Sequence, residues 1–345
     1  MKLIKRKTYP LEKCYSVAPL EYNGKKHIVV AAEKKNKCLL FDPDGNIEET
    51  IWTEPGGTMS IVQVPGSDGI FLASQKMYSP NDSKEAEIVI VTPEGKNDWK
   101  VKTLVKLPFV HRFDILVCEG KKYLVAATIK SGHEYKDDWS HPGQILVCAL
   151  PDDLSSCGEL HPVCIRDGLL KNHGYVRMHD KSGDFSVVAC DYGVFAVYPP
   201  CSGSSSWKTE CLTGDPASDI AFTDFDGDGS DEMVSIAPFH GDTLSVYKKQ
   251  DGMYRRIFTY DKKVEFAHAI WAGKLFGVPA AVIGHRKGES RDLLLLQYRG
   301  GMYTTEVLDR DVGSANVYQY TREGKEYLVS TNREIDEIAF YEFRE

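Results

Sequence analysis

Read from its N-terminus, the chain alternates short apolar runs with turns rich in Gly, Asp and Lys. HIVVAA (27–32), YLVAAT (123–128), SVVAC (186–190), AAVIG (280–284) and YLVS (327–330) are such runs. At this length, and with β-branched residues prominent, they read as strands buried on both faces. A polar loop follows each one, and then a second apolar run ends in an aromatic residue: CLLF (38–41), VFAVY (194–198), LLLLQY (293–298) and EIAFYEF (337–343). No long amphipathic helical pattern interrupts the series, and only residues 151–172 are ambiguous.

The unit recurs seven times at a spacing of about 45 to 60 residues, which suits four-stranded blades arranged around an axis. The expected fold is therefore all-β, a seven-bladed β-propeller forming one domain over 1–345. Its blades fall near 11–55, 56–109, 110–171, 172–216, 217–265, 266–312 and 313–345. A fourth strand follows the third in most units, as in IEETIWTE, WKVKTLVKL and MYTTEVLD, but the seventh unit ends without one. The orphan stretch KLIKRKTYP has the right length and pattern, so residues 2–9 are expected to complete the last blade and remove its open edge.

Composition narrows the functional classes. The net charge of -8 disfavours a nucleic-acid backbone as the main partner. MKLIKRKTYP carries no apolar run of the kind a secretory leader needs, and no stretch approaches the ~18 apolar residues of a membrane span. Cys38, Cys118, Cys148 and Cys190 lie inside apolar runs, so they read as small core thiols in a reducing, cytoplasmic compartment, with a disulfide framework as the alternative. There is no GxSxG, P-loop or GxGxxG motif to suggest serine or nucleotide chemistry.

The candidate chemistry comes from positions that a propeller would bring to one end of its axis. The first strand of each unit begins near Tyr15, Thr58 or Ser60, His111, His173, Asp219, His268 and Asn316. Three histidines in equivalent slots suit a divalent transition metal such as Zn or Mn, with Asp219 or Asn316 as an oxygen ligand; the alternative is a wet, hydrogen-bonded channel. The loop after the second strand supplies another ring: Gln75 and Lys76, His133, His240, His285 with Arg286, and Asn332 with Arg333. Polar rings of this kind suit a hydroxyl-rich or carboxylate ligand. The longest insertion, SGHEYKDDWSHPG (131–143), offers Tyr135 and Trp139 for stacking on a sugar face, or forms a lid.

Unit five carries the sharpest short motif. Asp224, Asp226, Asp228, Ser230, Asp231 and Glu232 alternate with glycines in DFDGDGSDE, a spacing that gathers oxygens around a hard cation. A structural Ca²⁺ is expected here, and a metal-free Asx-rich hairpin is the alternative. The stretch DIAFTDFDGDGSDEMVSIA resembles the FG-GAP/VCBS class of propeller repeat. Together with the histidines, the chain resembles aldos-2-ulose dehydratase-like propellers and, more loosely, propeller polysaccharide lyases.

That resemblance implies a metal-assisted lyase or dehydratase acting by β-elimination on a small oxidised sugar or sugar acid. In that reading His111, His173 and His268 hold the axial metal, and His285, His240 or Tyr175 removes the proton. Arg286 or Lys76 neutralises the developing enolate. Gln75, His133, Tyr135, Trp139, Asn332 and Arg333 contact the substrate. The competing reading is a non-catalytic propeller that binds carbohydrate or protein across its top face. Neither membrane nor nucleic acid is expected as a partner.

Overall fold

The computed structural model describes every residue except Asn36, Ser155 and Ser202. It is all-β, with seven sheets of four antiparallel strands arranged as a ring of blades. Blade one runs through Cys14–Tyr22, Lys25–Ala32, Cys38–Phe41 and Ile47–Trp52, and blade two through Ile61–Gln63, Phe71–Gln75, Glu87–Gly95 and Asp98–Lys106. Blade three holds Val110–Cys118, Lys121–Thr128, Gly143–Ala149 and Val163–Leu169; blade four holds Gly174–Asp180, Gly183–Cys190, Gly193–Tyr198 and Lys208–Thr213. Blade five is built from Asp219–Thr223, Glu232–Ala237, Thr243–Gln250 and Met253–Thr259, and blade six from Ala267–Leu275, Val278–His285, Leu293–Arg299 and Met302–Asp309. The ambiguous segment before residue 172 thus supplies the fourth strand of blade three.

Blade seven is closed from both ends of the chain. Asn316–Arg322, Lys325–Asn332 and Glu337–Arg344 are joined by the N-terminal strand Lys2–Pro10. The register runs antiparallel from Lys2 opposite Arg344 to Pro10 opposite Glu337. Tyr9 then meets Phe41 edge to face at 5.9 Å, which ties the borrowed strand to blade one.

The core is divided among the contacts between blades. Val29, Leu40, Phe71 and Val91 pack between blades one and two. Val125, Val147, Val188 and Val197 fill the space between blades three and four, and Ile236, Val246, Ile283 and Leu296 that between five and six. A second strand has a neighbouring blade on each face, so it buries residues of both parities. That is the physical origin of the unbroken apolar runs. Each fully buried aliphatic side chain contributes roughly 1.5–3 kcal/mol relative to exposure.

One reading of the cysteines changes. Cys118 and Cys201 form a disulfide, with Cα atoms 6.0 Å apart and a sequence separation of 83, so Cys118 is not a free core thiol. The bond fastens the first strand of blade three to the loop after the third strand of blade four. Cys38 and Cys190 are free and buried, and Cys148 is partly buried. Among the described residues, no helix is long and apolar enough to cross a membrane.

Candidate functional site

The first strands of several blades enter the channel through a β-bulge. In blade one the register passes from Cys14 to Ser16 against consecutive partners, in blade three from Val110 to Arg112, and in blade six from Ala267 to Ala269. The extra residues are Tyr15, His111 and His268. A bulge leaves its extra residue outside the ladder and re-aims its side chain. His173 reaches the same end from the position just before its strand, where its N–H bonds to Ala189 O.

These side chains meet. The His111 and His173 rings lie 4.3 Å apart, and His173 and His268 lie 5.0 Å apart. His240, from the loop after the second strand of blade five, joins them at 5.0 Å from His173 and 5.6 Å from His268. Its backbone is left-handed, with φ of +49°. Its ring is stacked between Phe239 at 3.9 Å and Phe266 at 4.2 Å.

Hydrogen bonds fix the tautomers. His173 Nδ1–H donates to Ser218 O at 2.9 Å, and His268 Nδ1–H donates to Ala315 O at 2.7 Å. A carbonyl can only accept, so both Nε2 atoms carry lone pairs. The Tyr15 hydroxyl donates to His268 Nε2 at 2.8 Å. Among the described residues, His173 Nε2 and His111 Nδ1 are buried without a hydrogen-bond partner. Burial, and then the neighbouring imidazoles, hold His173 far below the ordinary histidine range. Burial, then Arg112, does the same to His111, and burial, then Arg286, to His268. His240 is lowered to about 3, again first by burial and then by Arg286. At neutral pH the cluster is four uncharged imidazoles.

The cluster floors a cavity of about 410 Å³ with Trp139, Phe239 and Phe266 among its walls. The cations around it are mostly engaged. Arg286 reaches Glu334 at 2.8 Å and lies 4.7 Å from the centre of the Phe266 ring. Arg333 is paired with Glu33 and Glu334. Lys130, fully buried, donates to Asn81 Oδ1 at 2.8 Å and Asp138 O at 2.7 Å, and sits 4.2 Å over Trp139. It pins the long insertion of blade three to that of blade two.

The donor set fits a divalent transition metal in part. One nitrogen from each of His173, His240 and His268 lies within 4.8 Å of the others, and neutral imidazoles oriented by backbone carbonyls are what such an ion requires. Of the expected ligands, neither His111 nor Asp219 is among these converging atoms, and His240 stands in their place. Ser218, whose N–H bonds to Ile236 O, is the register equivalent of His173, so Asp219 stands one residue farther along. Its carboxylate accepts the Ile220 N–H at 3.0 Å and faces Arg112 at 3.8 Å.

Asp219 lines a second cavity, farther along the channel, with Arg112, Asp114, Tyr175 and Arg177. Burial raises Asp219 to about 6 against the pull of Arg112. The other expected residues are dispersed. Tyr175 lies in that second chamber, and burial lifts its hydroxyl well above the usual range. His285 Nδ1–H donates to Lys287 O, and its Nε2 accepts the Asp292 N–H at 3.0 Å. Gln75 is buried in its strand, and Lys76 pairs with Glu87 at 2.6 Å. Asn332 is buried, donating to Glu337 at 2.9 Å and Tyr341 at 3.1 Å. His133 packs edge to face on Phe109 at 5.7 Å, and Tyr135 is exposed.

In blade five, Asp224 accepts the N–H groups of Gly227 at 2.8 Å and Gly229 at 3.0 Å. Asp228 accepts that of Ser230 at 2.9 Å, and Glu232 that of Phe225 at 2.8 Å. Asp231 lies beside Tyr254, whose hydroxyl donates to Asp231 O at 3.1 Å. Sequence reasoning passed over Phe239 and Phe266, although each stands within two residues of a clustered histidine. It also passed over Lys248, which joins the acidic loop from the next strand.

No protein family matches the chain, and no curated protein does. Solved structures match in fold. The BBS1 N-terminal domain, crystallised in complex with ARL6, superposes with a TM-score of 0.60 at 10% identity, covering 99% of this chain and 97% of that one. The β-propeller domain of Myceliophteria thermophila Cps50 (Swd1) gives a TM-score of 0.61 at 8% identity, covering 98% and 99%. About 600 solved chains match, so the comparison establishes the seven-bladed propeller and leaves function to the site.

Proposed function

We propose that the chain is a non-catalytic recognition propeller that binds a protein partner across the face carrying the imidazole mouth. The observation that carries this is the placement of Tyr135 and Tyr192, exposed to 67% and 59%, on adjacent loops of blades three and four. Lys171, paired with Asp191 at 3.0 Å and 5.8 Å from the Trp139 ring, links those two loops at the cavity wall. Amphipathic aromatics around a central pocket, with arginines already held in place, are the usual anchors of a protein interface. The BBS1 domain, crystallised in complex with ARL6, is a propeller of matching size and supports the same use here.

The test is a photo-crosslinking amino acid placed at Tyr135 or Tyr192, and at Met302 on the outer strand of blade six as a control, in cells of the source organism. Discrete protein adducts from the two mouth positions, absent from the control, are expected. No adduct from either mouth position, together with saturable glycan binding that Trp139→Ala removes, would move the assignment to carbohydrate.

One observation favours a second reading, the unpartnered Nε2 of His173 beside His240 and His268. In that reading the three residues hold a zinc or manganese ion, which when bound would polarise a carbonyl of an oxidised sugar and acidify the adjacent C–H. The channel histidines are what the resemblance to aldos-2-ulose dehydratase-like propellers rests on. Tyr15 would give up its hydrogen bond to His268 Nε2. Metal content of the purified protein beside His173→Ala tests the ion, and unsaturated product from sugar acids tests the chemistry.

A further inference from the structure

The acidic loop of blade five invites a calcium ion, yet its oxygens already face a cation. The hairpin register places Met233 opposite Tyr247, which puts Glu232 and Lys248 side by side on adjacent strands. The Lys248 ammonium extends into the loop. It contacts Asp226, reaches Asp228 at 2.8 Å, and reaches the fully buried Glu232 at 3.0 Å. The ammonium therefore hydrogen-bonds Asp226 and stands within ion-pair distance of the other two carboxylates. The other oxygens are used locally, since both Asp224 oxygens and one from Glu232 accept backbone N–H groups of the turn. A calcium ion takes six to eight oxygens at about 2.3–2.6 Å. It would have to draw on the same carboxylates and expel an ammonium tethered to the neighbouring strand.

We infer that Lys248 is the built-in cation of the blade-five loop, so that the turn over residues 224–232 closes without calcium. Lysine does here what an ion does in a metal-dependent turn. It neutralises carboxylates that would otherwise repel one another, and it fastens the turn to the third strand. One positive charge from the chain replaces two from solution, and the loop's integrity no longer follows the ion's concentration. This inference is independent of what the mouth binds.

Thermal unfolding of the full chain in chelator, in millimolar calcium and in millimolar magnesium at equal ionic strength tests it. The wild-type midpoint is expected to be the same in all three. Lys248→Met is expected to melt lower in chelator and to recover with calcium. It should also give tyrosine-sensitised terbium emission several-fold above wild type, with Tyr254 at the loop as antenna. A wild-type midpoint that rises specifically with calcium would overturn the inference. So would a Lys248→Met protein that responds to neither ion. Should that variant not fold, terbium emission from wild type decides alone, since strong sensitised emission would mean that the loop accepts a metal with Lys248 present.

Discussion

Asp219 sets two opposing effects against each other, and Asp219→Asn decides between them. Burial disfavours the charged carboxylate, and Arg112 at 3.8 Å favours it. Burial wins, placing the group at about 6 against 3.8 for an ordinary aspartate. The folded protein therefore holds more protons here than the unfolded chain between those two values. Stability contributed by this position is present at low pH and is lost as pH rises through 6. Asparagine keeps an oxygen for the Ile220 N–H and carries no charge. The attraction of Arg112 for the ionised carboxylate is already contained in the value of about 6, and whatever else the substitution changes is independent of pH, so the readable quantity is the pH dependence of the difference. Between pH 5 and pH 8 the variant should gain about 1.4 kcal/mol relative to wild type. Urea unfolding of both proteins across that range measures it. Parallel curves would refute the burial argument. A difference running the other way, with wild type gaining on the variant as pH rises, would show that Arg112 holds the carboxylate charged.

Two further outcomes follow from the packing. Cys201→Ser, or reductant added to wild type, frees a loop of 83 residues and should lower stability by about 4.5 kcal/mol at most; an unfolding curve indifferent to reductant would mean that the two sulfurs are not joined in solution. Gly143→Ala would put a Cβ 1.9 Å from Thr128 O, on the strand beside it. That overlap involves backbone and should cost about 3 kcal/mol or more, read as a fall in the melting midpoint.

The ring was legible in the sequence because a propeller repeats one local problem seven times. Ile28–Ala32, Leu124–Ala127 and Val187–Cys190 are buried on both faces, so each announces its strand without alternation. The meeting of His111, His173 and His268 was legible for the same reason, since equivalent slots converge. Register was not. Ser218 rather than Asp219 is the counterpart of His173, and one residue along a strand turns a side chain to the other side. The bulges at Tyr15, His111 and His268 leave no mark in the residue pattern. His240 could be assigned to a ring of loops but not to the cluster, because its place depends on a left-handed backbone and on stacking between Phe239 and Phe266. Lys248 and Cys201 were invisible because their partners lie across a strand and across a blade.

The strand that seals the last blade has a consequence for how the chain is born. Residues 2–10 leave the ribosome more than 300 residues before their hydrogen-bonding partners at 337–344. At ordinary translation rates the interval is on the order of a minute. Throughout it, a peptide bearing Lys2, Lys5, Arg6 and Lys7 must stay soluble and uncommitted, and those charges suit it to the wait. Whatever intermediate accumulates until then is an open arc, and circularity arrives only once residues 337–344 have emerged.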